Sequence, residues 1–289
     1  MSSPPTARAH APTHPEDSPR RPWSRPPRRT AGRSALAFLA LLAVVSLPLV
    51  AGACGNASSS ENAGTATEIR VSAAASLTEA FTKLGSRFTA AHPGVKVTFN
   101  FAGSQDLVAQ LRQGAPADVV TTADTATMDK VADLVGSPMM FAGNELEICV
   151  APGNPKQIAG LADLADPDLK VVLAAPEVPA GKYAEQVLEK AGVTVRPVSL
   201  EESVKGVVTK VSLGEADAGI VYVTDVTAAK GKVDGVAIPG SQNVLASYPI
   251  AVVMASSKAE AAQDFVDLVL SSEGQQVLGS FGFLPPEGT

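Results

Sequence analysis

The sequence contains little of what a disulfide framework or a histidine-based active site needs. Its 289 residues include two cysteines, three histidines and one tryptophan. His92 is the only histidine after residue 53, so histidine metal sites and histidine-dependent triads in that part are excluded by count. Cys149 lies in the apolar pattern LEICVAP, which is typical of an inert buried thiol. We therefore expect no disulfide, no metal site, no cofactor and no enzyme.

The N-terminus lacks a long uninterrupted apolar run. Residues 1–33 are rich in proline and arginine, and the run ALAFLALLAVVSLPLV that follows is broken by Pro48. Its length favours a signal peptide, with an uncleaved anchor helix as the alternative. Small residues precede Cys54, as they do at a lipoprotein cleavage site. We predict a lipoprotein-type signal peptide over residues 1–53, acylation of Cys54, and a flexible Gly/Ser/Asn tether over residues 54–66.

Basic residues are scarce in the remaining chain. Removing the predicted signal peptide takes away seven of 23 basic residues and two of 29 acidic ones, which leaves a formal net charge of −11. This charge argues against nucleic acid as a partner. A polyamine or another cation would suit the charge but would need an aromatic cage, and the remaining chain has three tyrosines and no tryptophan.

Apolar runs rich in valine and isoleucine alternate with helical periodicity beyond residue 66, which is typical of an α/β fold. The patterns predict strands at residues 68–72, 95–101, 119–121, 146–151, 171–174, 218–221, 233–238 and 249–254. They predict helices at residues 77–90, 104–113, 180–191, 203–213 and 259–270. A folded part of this length suits one large domain or two lobes.

Small and hydroxylated residues stand where predicted strands lead into helices. The stretch Ser76-Leu-Thr-Glu79 has the pattern of a capping box, and Ser104 begins the next helix. Ala180 and Val204 occupy similar helix starts. Because the carboxyl ends of strands line the ligand crevice of an open α/β sheet, these helix starts are expected to meet there. Their free N–H groups and helix dipoles would form an anion site without lysine or arginine.

Between residues 69 and 283 the chain carries, in order, AAASLTEAF, FAGSQDLVAQLRQGAPADVVTTAD, PEVPAGKYAEQVL, ESVKGVV, AGIVYVTD and FGF. These segments resemble the molybdate-binding proteins of bacterial ABC importers, which are solute-binding proteins of the periplasmic type. The resemblance implies an α/β fold of class II with two lobes, each a mixed or mostly parallel sheet flanked by helices, and a two-strand hinge. It places residues 67–147 and 249–289 in lobe I and residues 148–248 in lobe II.

The resemblance also implies how an oxyanion is bound. The expected donors are the hydroxyl and backbone N–H of Ser76 and Ser104, the backbone N–H of Ala180 and Val204, and the phenolic O–H of Tyr222. The implied ligand is molybdate, with little discrimination against tungstate. A site made only of donors disfavours protonated phosphate. Sulfate, another tetrahedral oxyanion or a small organic anion is the alternative.

Other side chains near these junctions are expected to matter less. We expect Glu79 to point to solvent and leave the Ser76 N–H free, rather than reach back to it. Lys182 and Lys205 are expected to face water, because side chains in a first helical turn commonly do so. Tyr248 is expected to serve packing rather than ligand contact.

The implied function is capture of the anion outside the cytoplasmic membrane and its delivery to an importer. Lipid on Cys54 would hold the protein at the outer face of that membrane, where it would meet the transporter permease and its ATPase subunit. We expect a monomer. The rival from another class is an enzyme with Ser76 or Ser104 as nucleophile, but the chain lacks a histidine partner and a Gly-x-Ser-x-Gly elbow.

Overall fold

A computed structural model describes residues 66–286. Within them, nine strands form one connected mixed sheet, flanked by eight α-helices. The strands are β1 (Thr67–Ala74), β2 (Val95–Ala102), β3 (Val119–Thr121), β4 (Met139–Val150), β5 (Val171–Ala174), β6 (Ser199–Glu201), β7 (Ala218–Tyr222), β8 (Asp234–Ala237) and β9 (Leu245–Val252). The helices are α1 (Thr78–Ala91), α2 (Ser104–Arg112), α3 (Thr125–Met128), α4 (Pro179–Ala191), α5 (Val204–Ser212), α6 (Val223–Ala229), α7 (Ala259–Leu270) and α8 (Ser272–Ser280).

Two parallel groups of strands make up the sheet. Across it the strands lie in the order β2-β1-β3-β9-β4-β7-β5-β6, with β8 paired to β4 as a branch. β1 is parallel to β2 and β3, and β5 is parallel to β6 and β7. The long strands β4 and β9 are antiparallel to each other and connect the two groups, because β9 also pairs with β3 and β4 also pairs with β7. The predicted α/β class with a mixed sheet is confirmed.

Amphipathic helices pack on the sheet through apolar residues at helical spacing. α1 buries Phe81, Leu84 and Phe88, which lie three and four residues apart and share one face. The rings of Phe81 and Phe88 contact Phe265 of α7 at centroid distances of 5.9 and 5.5 Å. Each fully buried phenylalanine contributes about 1.5–3 kcal/mol. This packing fixes where α1 begins, and therefore where the residues before it lie.

Most predicted elements are present, and the differences have local causes. β3, β5 and α7 have the predicted bounds, whereas β4 begins at Met139 instead of residue 146 and β9 at Leu245 instead of residue 249. Pro249 lies inside β9 opposite Met140, beside an irregularity in the ladder where a missing N–H is tolerated. β6, α3 and α6 are too short to show a clear period, and α8 (SEGQQVLGS) is weakly apolar; none of these four was predicted.

The predicted signal peptide, Cys54 and all but the last residue of the predicted tether lie outside the described residues. Among residues 66–286, no helix combines the length and apolar character that crossing a membrane requires.

Candidate functional site

All five predicted site residues line one small cavity. The cavity has a volume of about 10 Å³, which is about the room that one water molecule needs. No lysine, arginine, aspartate or glutamate is among the residues that line it. The lining residues are Ala74, Ala75, Ser76, Ala102, Gly103, Ser104, Ala123, Val178, Pro179, Ala180, Ser203, Val204 and Tyr222.

Four of the five residues stand at the start of a helical segment. Ser104 and Val204 are the first residues of α2 and α5, and Ala180 is the second residue of α4, after Pro179. The first N–H groups of a helix have no acceptor within that helix. The Ser203 hydroxyl caps α5 by accepting from the Gly206 N–H at 3.3 Å, which leaves the Val204 N–H uncapped. These starts therefore offer unpaired donors and positive helix dipoles to the cavity.

Ser76 differs from its predicted role as a helix cap. It lies in a 3-10 turn at Ala75–Leu77, and α1 begins only at Thr78, without a side-chain cap. The capping-box interpretation is therefore wrong. Glu79 neither reaches back to Ser76 nor points freely to solvent, because its carboxylate lies 2.9 Å from Nζ of Lys205. The turn is stabilised instead by the Thr78 hydroxyl, which donates to the Ala75 carbonyl at 2.7 Å.

The two serine hydroxyls are buried, and each has one protein partner. Ser104 Oγ accepts from the backbone N–H of Ala123 at 3.0 Å. Ser76 Oγ lies 3.0 Å from Oη of Tyr248. Both serines are less than 5% exposed. Because a hydroxyl can accept and donate at once, Ser104 Oγ keeps its own proton for a guest in the cavity.

Tyr222 ends β7 and is 1% exposed. Within the described part of the chain its hydroxyl has no hydrogen-bond partner. Burial raises the pKa of this phenol well above its ordinary value, with smaller contributions from Tyr248 and Tyr183, so the hydroxyl stays protonated and can donate. A buried polar group without a partner costs about 1–3 kcal/mol. The Tyr222 hydroxyl therefore needs a ligand atom or a water in the cavity.

Lys182 and Lys205 follow the cavity residues Ala180 and Val204 closely in the chain, but acidic side chains outside the cavity lining neutralise their charges. Nζ of Lys182 lies 2.7 Å from Asp124 Oδ2 and donates to the Thr127 hydroxyl at 3.0 Å. Both lysine side chains are less than a third exposed, so the expectation that they face water is wrong.

Lys205 contacts both Glu79 and the fully buried Asp225, the latter at 3.3 Å. Burial lowers the pKa of Lys205, but Asp225 and Glu79 outweigh this effect and raise it overall. The lysine therefore stays charged in its ion pairs and does not face the guest.

Sequence reasoning missed several residues that shape the site. Ala123 belongs to the cavity wall, and Tyr248 contacts Ser76 directly. No sequence signal indicated either contact, because each joins Ser104 or Ser76 to another segment of the chain.

Outside the cavity, Cys149 is buried as predicted, and burial raises the pKa of its thiol to about 12. Within residues 66–286 no group of three or more histidine, cysteine, aspartate or glutamate side chains is arranged to hold a metal ion.

Residues 69–284 match the bacterial extracellular solute-binding protein family. The chain belongs to this family. The molybdate-binding protein ModA of Mycobacterium tuberculosis (strain ATCC 25618 / H37Rv) is 46% identical over 252 residues, which cover 84% of this chain and 97% of that protein. ModA of Escherichia coli (strain K12) is 32% identical over 230 residues, which cover 75% of this chain and 88% of that protein.

A solved structure shows the same fold. The periplasmic molybdate-binding protein of Azotobacter vinelandii has a TM-score of 0.64 at 20% identity, covering 76% of this chain and all of that chain. The predicted family and the periplasmic binding protein fold are thereby confirmed. The cavity at the starts of α2, α4 and α5 and the end of β7 is therefore the candidate solute site of this protein.

Proposed function

We propose that this solute-binding protein captures molybdate, and tungstate with similar affinity, and delivers it to the permease and ATPase of an ABC importer. The observation that carries the proposal is the buried Tyr222 hydroxyl, which lacks a partner and lies in a cavity lined by neutral donors. The identity with molybdate-binding relatives supports molybdate as the solute. On this proposal the protein is monomeric and binds without turnover.

Neutral donors suffice to hold a dianion in such a cavity. The proposal counts seven donors from residues that line the cavity: the hydroxyl and N–H of Ser76 and Ser104, the N–H of Ala180 and Val204, and the hydroxyl of Tyr222. Hydrogen bonds to a charged group contribute about 1.5–3 kcal/mol each, so seven of them offset a large desolvation cost. Because each donor is held by a helix start or a strand end, little local reorganisation of the donors within each lobe accompanies binding.

The chemistry of the wall favours an oxyanion without protons. No carboxylate lines the cavity, so a proton on the guest would find no acidic acceptor there. Hydrogen phosphate is therefore disfavoured, while molybdate, tungstate and sulfate all fit the donor set. Sulfate is the competitor to test, by calorimetric displacement of bound molybdate.

Closure around the guest is the expected mechanism. In the lobes predicted from sequence, Ser76 and Ser104 belong to lobe I, while Ala180, Val204 and Tyr222 belong to lobe II. An anion that bonds all five shifts the population towards the closed form. The ion pairs of Lys182 with Asp124 and of Lys205 with Glu79 would join the same two lobes. A permease would then recognise the closed protein.

Removal of single donors tests the proposed function. Ser76→Ala, Ser104→Ala and Tyr222→Phe should each weaken molybdate binding about ten-fold or more, since each deletes one hydrogen bond to a charged guest. Isothermal titration calorimetry on the purified full-length protein measures the effect. Ser86→Ala, on the exposed face of α1, is the matched control and should bind like wild type. Unchanged affinity in all three site variants would refute the proposed site.

The lipid anchor has its own test. Cys54→Ser should move the protein from the membrane fraction to the soluble fraction in a bacterium that processes lipoproteins, with molybdate affinity unchanged, because the predicted tether separates Cys54 from the site residues in sequence. Cys149→Ser is the matched control and should stay with the membrane, since Cys149 is a buried core thiol. If the Cys54 variant remained membrane-bound, or lost molybdate binding, the tether model would be wrong.

A further inference from the structure

A buried hydrogen-bonded chain connects the cavity to the centre of the sheet. Oη of Tyr248, in β9, lies 3.0 Å from Ser76 Oγ. Nδ2 of Asn144, in β4, lies 3.4 Å from the same Tyr248 Oη and 2.8 Å from Oγ1 of Thr224. All four side chains are less than 5% exposed. Tyr248 therefore has polar partners on two sides, which goes beyond the packing role expected from sequence.

The direction of donation along this chain follows from the orientation of the Asn144 amide, whose Nδ2 faces both hydroxyls and whose Oδ1 has no hydrogen-bond partner among the described residues. An amide NH₂ group can only donate hydrogen bonds. One N–H of the Asn144 amide therefore donates to Thr224 Oγ1, and the other points at Tyr248 Oη. Tyr248 accepts there and has one proton left to give. Burial raises the pKa of this phenol, so the proton stays on Tyr248. Its remaining partner is Ser76 Oγ, which therefore accepts from Tyr248 and must turn its own proton elsewhere, towards the cavity that it lines.

The Ser104 hydroxyl also accepts a hydrogen bond from the protein, in this case from a backbone group. The backbone N–H of Ala123 donates to Ser104 Oγ at 3.0 Å, and a backbone N–H has no capacity to accept. Each of the two cavity serine hydroxyls thus accepts one hydrogen bond from the protein. That bond occupies one of the two lone pairs of the oxygen, which leaves less capacity to accept a hydrogen bond from a guest.

We propose that Tyr248, oriented by Asn144, is a positioning and specificity-determining residue that makes the Ser76 hydroxyl a donor to the guest and thereby discriminates against oxyanions that carry a proton. The inference rests on the proposed function and deepens it, because it names what sets selectivity at the same site. It concerns hydrogen phosphate in particular, a tetrahedral oxyanion that can match molybdate in charge and differs in having a proton to donate.

The three tyrosines of the chain allow a matched series of Tyr→Phe variants. Dissociation constants for molybdate and for inorganic phosphate are measured on the full-length protein at mildly alkaline pH, phosphate by competition with molybdate. Tyr248→Phe should lower the ratio of the phosphate to the molybdate dissociation constant by about ten-fold. Without the Tyr248 hydroxyl, Ser76 Oγ is free to accept a hydrogen bond from the proton of hydrogen phosphate. Tyr222→Phe should weaken the binding of both molybdate and phosphate. Tyr183→Phe removes a hydroxyl outside the cavity lining and should change neither.

A double-mutant cycle tests whether Tyr248 acts through Ser76. In a Ser76→Ala background, Tyr248→Phe should no longer change the ratio, because the oxygen that it orients is gone. Thermal unfolding of each variant verifies that it is folded. Asn144→Ala should lower the ratio of the two dissociation constants in the same way as Tyr248→Phe, because it removes the group that orients Tyr248. A ratio that stays constant or widens in Tyr248→Phe, or an equal narrowing with and without Ser76, would overturn the inference.

The two proposals fail in different ways. If wild type binds molybdate and Tyr222→Phe weakens it, but Tyr248→Phe weakens both anions in parallel, the inference is wrong and the proposed function stands. If wild type binds no molybdate, the proposed function is wrong and the inference fails with it.

Discussion

Val204→Pro should weaken molybdate binding about 100-fold or more. Val204 is the first residue of α5, where proline fits the helix and the only hydrogen-bonding group lost is the backbone N–H. The preceding Ser203 has φ −154° and ψ 159°, an extended conformation that proline accepts in its predecessor. The substitution therefore deletes one proposed donor and places a ring carbon where the guest would accept, which costs about 3 kcal/mol or more.

The matched control for this prediction is Val204→Ala. Alanine keeps the N–H and removes only side-chain atoms, so affinity should stay within about two-fold of wild type, with some loss of thermal stability because Val204 is 4% exposed. Calorimetry with molybdate and thermal unfolding, both on the full-length protein, separate the two effects. A proline variant that is folded and binds like the alanine variant would show that the Val204 N–H is not a ligand.

Gly103→Ala should weaken binding about 30-fold through closure rather than through a lost donor. A Cβ added at Gly103 would lie 2.5 Å from the carbonyl oxygen of Glu202, on the segment that leads into α5. Gln105 Nε2 donates to the same carbonyl at 2.9 Å and its side chain crowds the same space. Relieving such a backbone contact costs about 2 kcal/mol, and the two segments belong to different predicted lobes.

Gly136→Ala is the control for this steric argument, because a Cβ there would meet its nearest neighbour, the Val252 carbonyl, at an ordinary 3.7 Å. Molybdate calorimetry should separate the two variants. Small-angle X-ray scattering with saturating molybdate should show a less compact Gly103→Ala protein than wild type. Equal affinities for the two alanine variants would mean that the approach of Gly103 to Glu202 plays no part in closure.

The local chemistry of the site could be predicted from sequence because it resides in helix starts. Ser104, Ala180 and Val204 stand where apolar strand patterns give way to helical periodicity, and small residues there leave N–H groups uncovered. Those patterns extend over a few residues, so a single sequence shows them. The same reasoning placed Ser76 at the cavity but assigned it the wrong partner, since Ser76 lies in a 3-10 turn that precedes α1 rather than at the cap of that helix.

Contacts between distant segments could not be predicted in the same way. Ser76 and Tyr248 are 172 residues apart, and Glu79 and Lys205 are 126 apart. Which side chains meet at such separations depends on the order of strands in the sheet, where β9 returns beside β3 and β4. Apolar and helical periods indicate that strands exist but carry no information on their neighbours. The five predicted residues of the cavity lining were therefore accessible from sequence, and their contacts with distant segments were not.

The central claim is that neutral donors from helix starts and one tyrosine hold a dianionic oxyanion without a cationic side chain. A crystal structure of the full-length protein with molybdate, in which anomalous scattering locates the metal, tests it most directly. The account predicts molybdenum in the cavity between Ser76 and Tyr222, with its oxygens about 3 Å from the donors of Ser76, Ser104, Ala180, Val204 and Tyr222. Molybdenum held by lysine or arginine side chains, or lying outside this cavity, would contradict it.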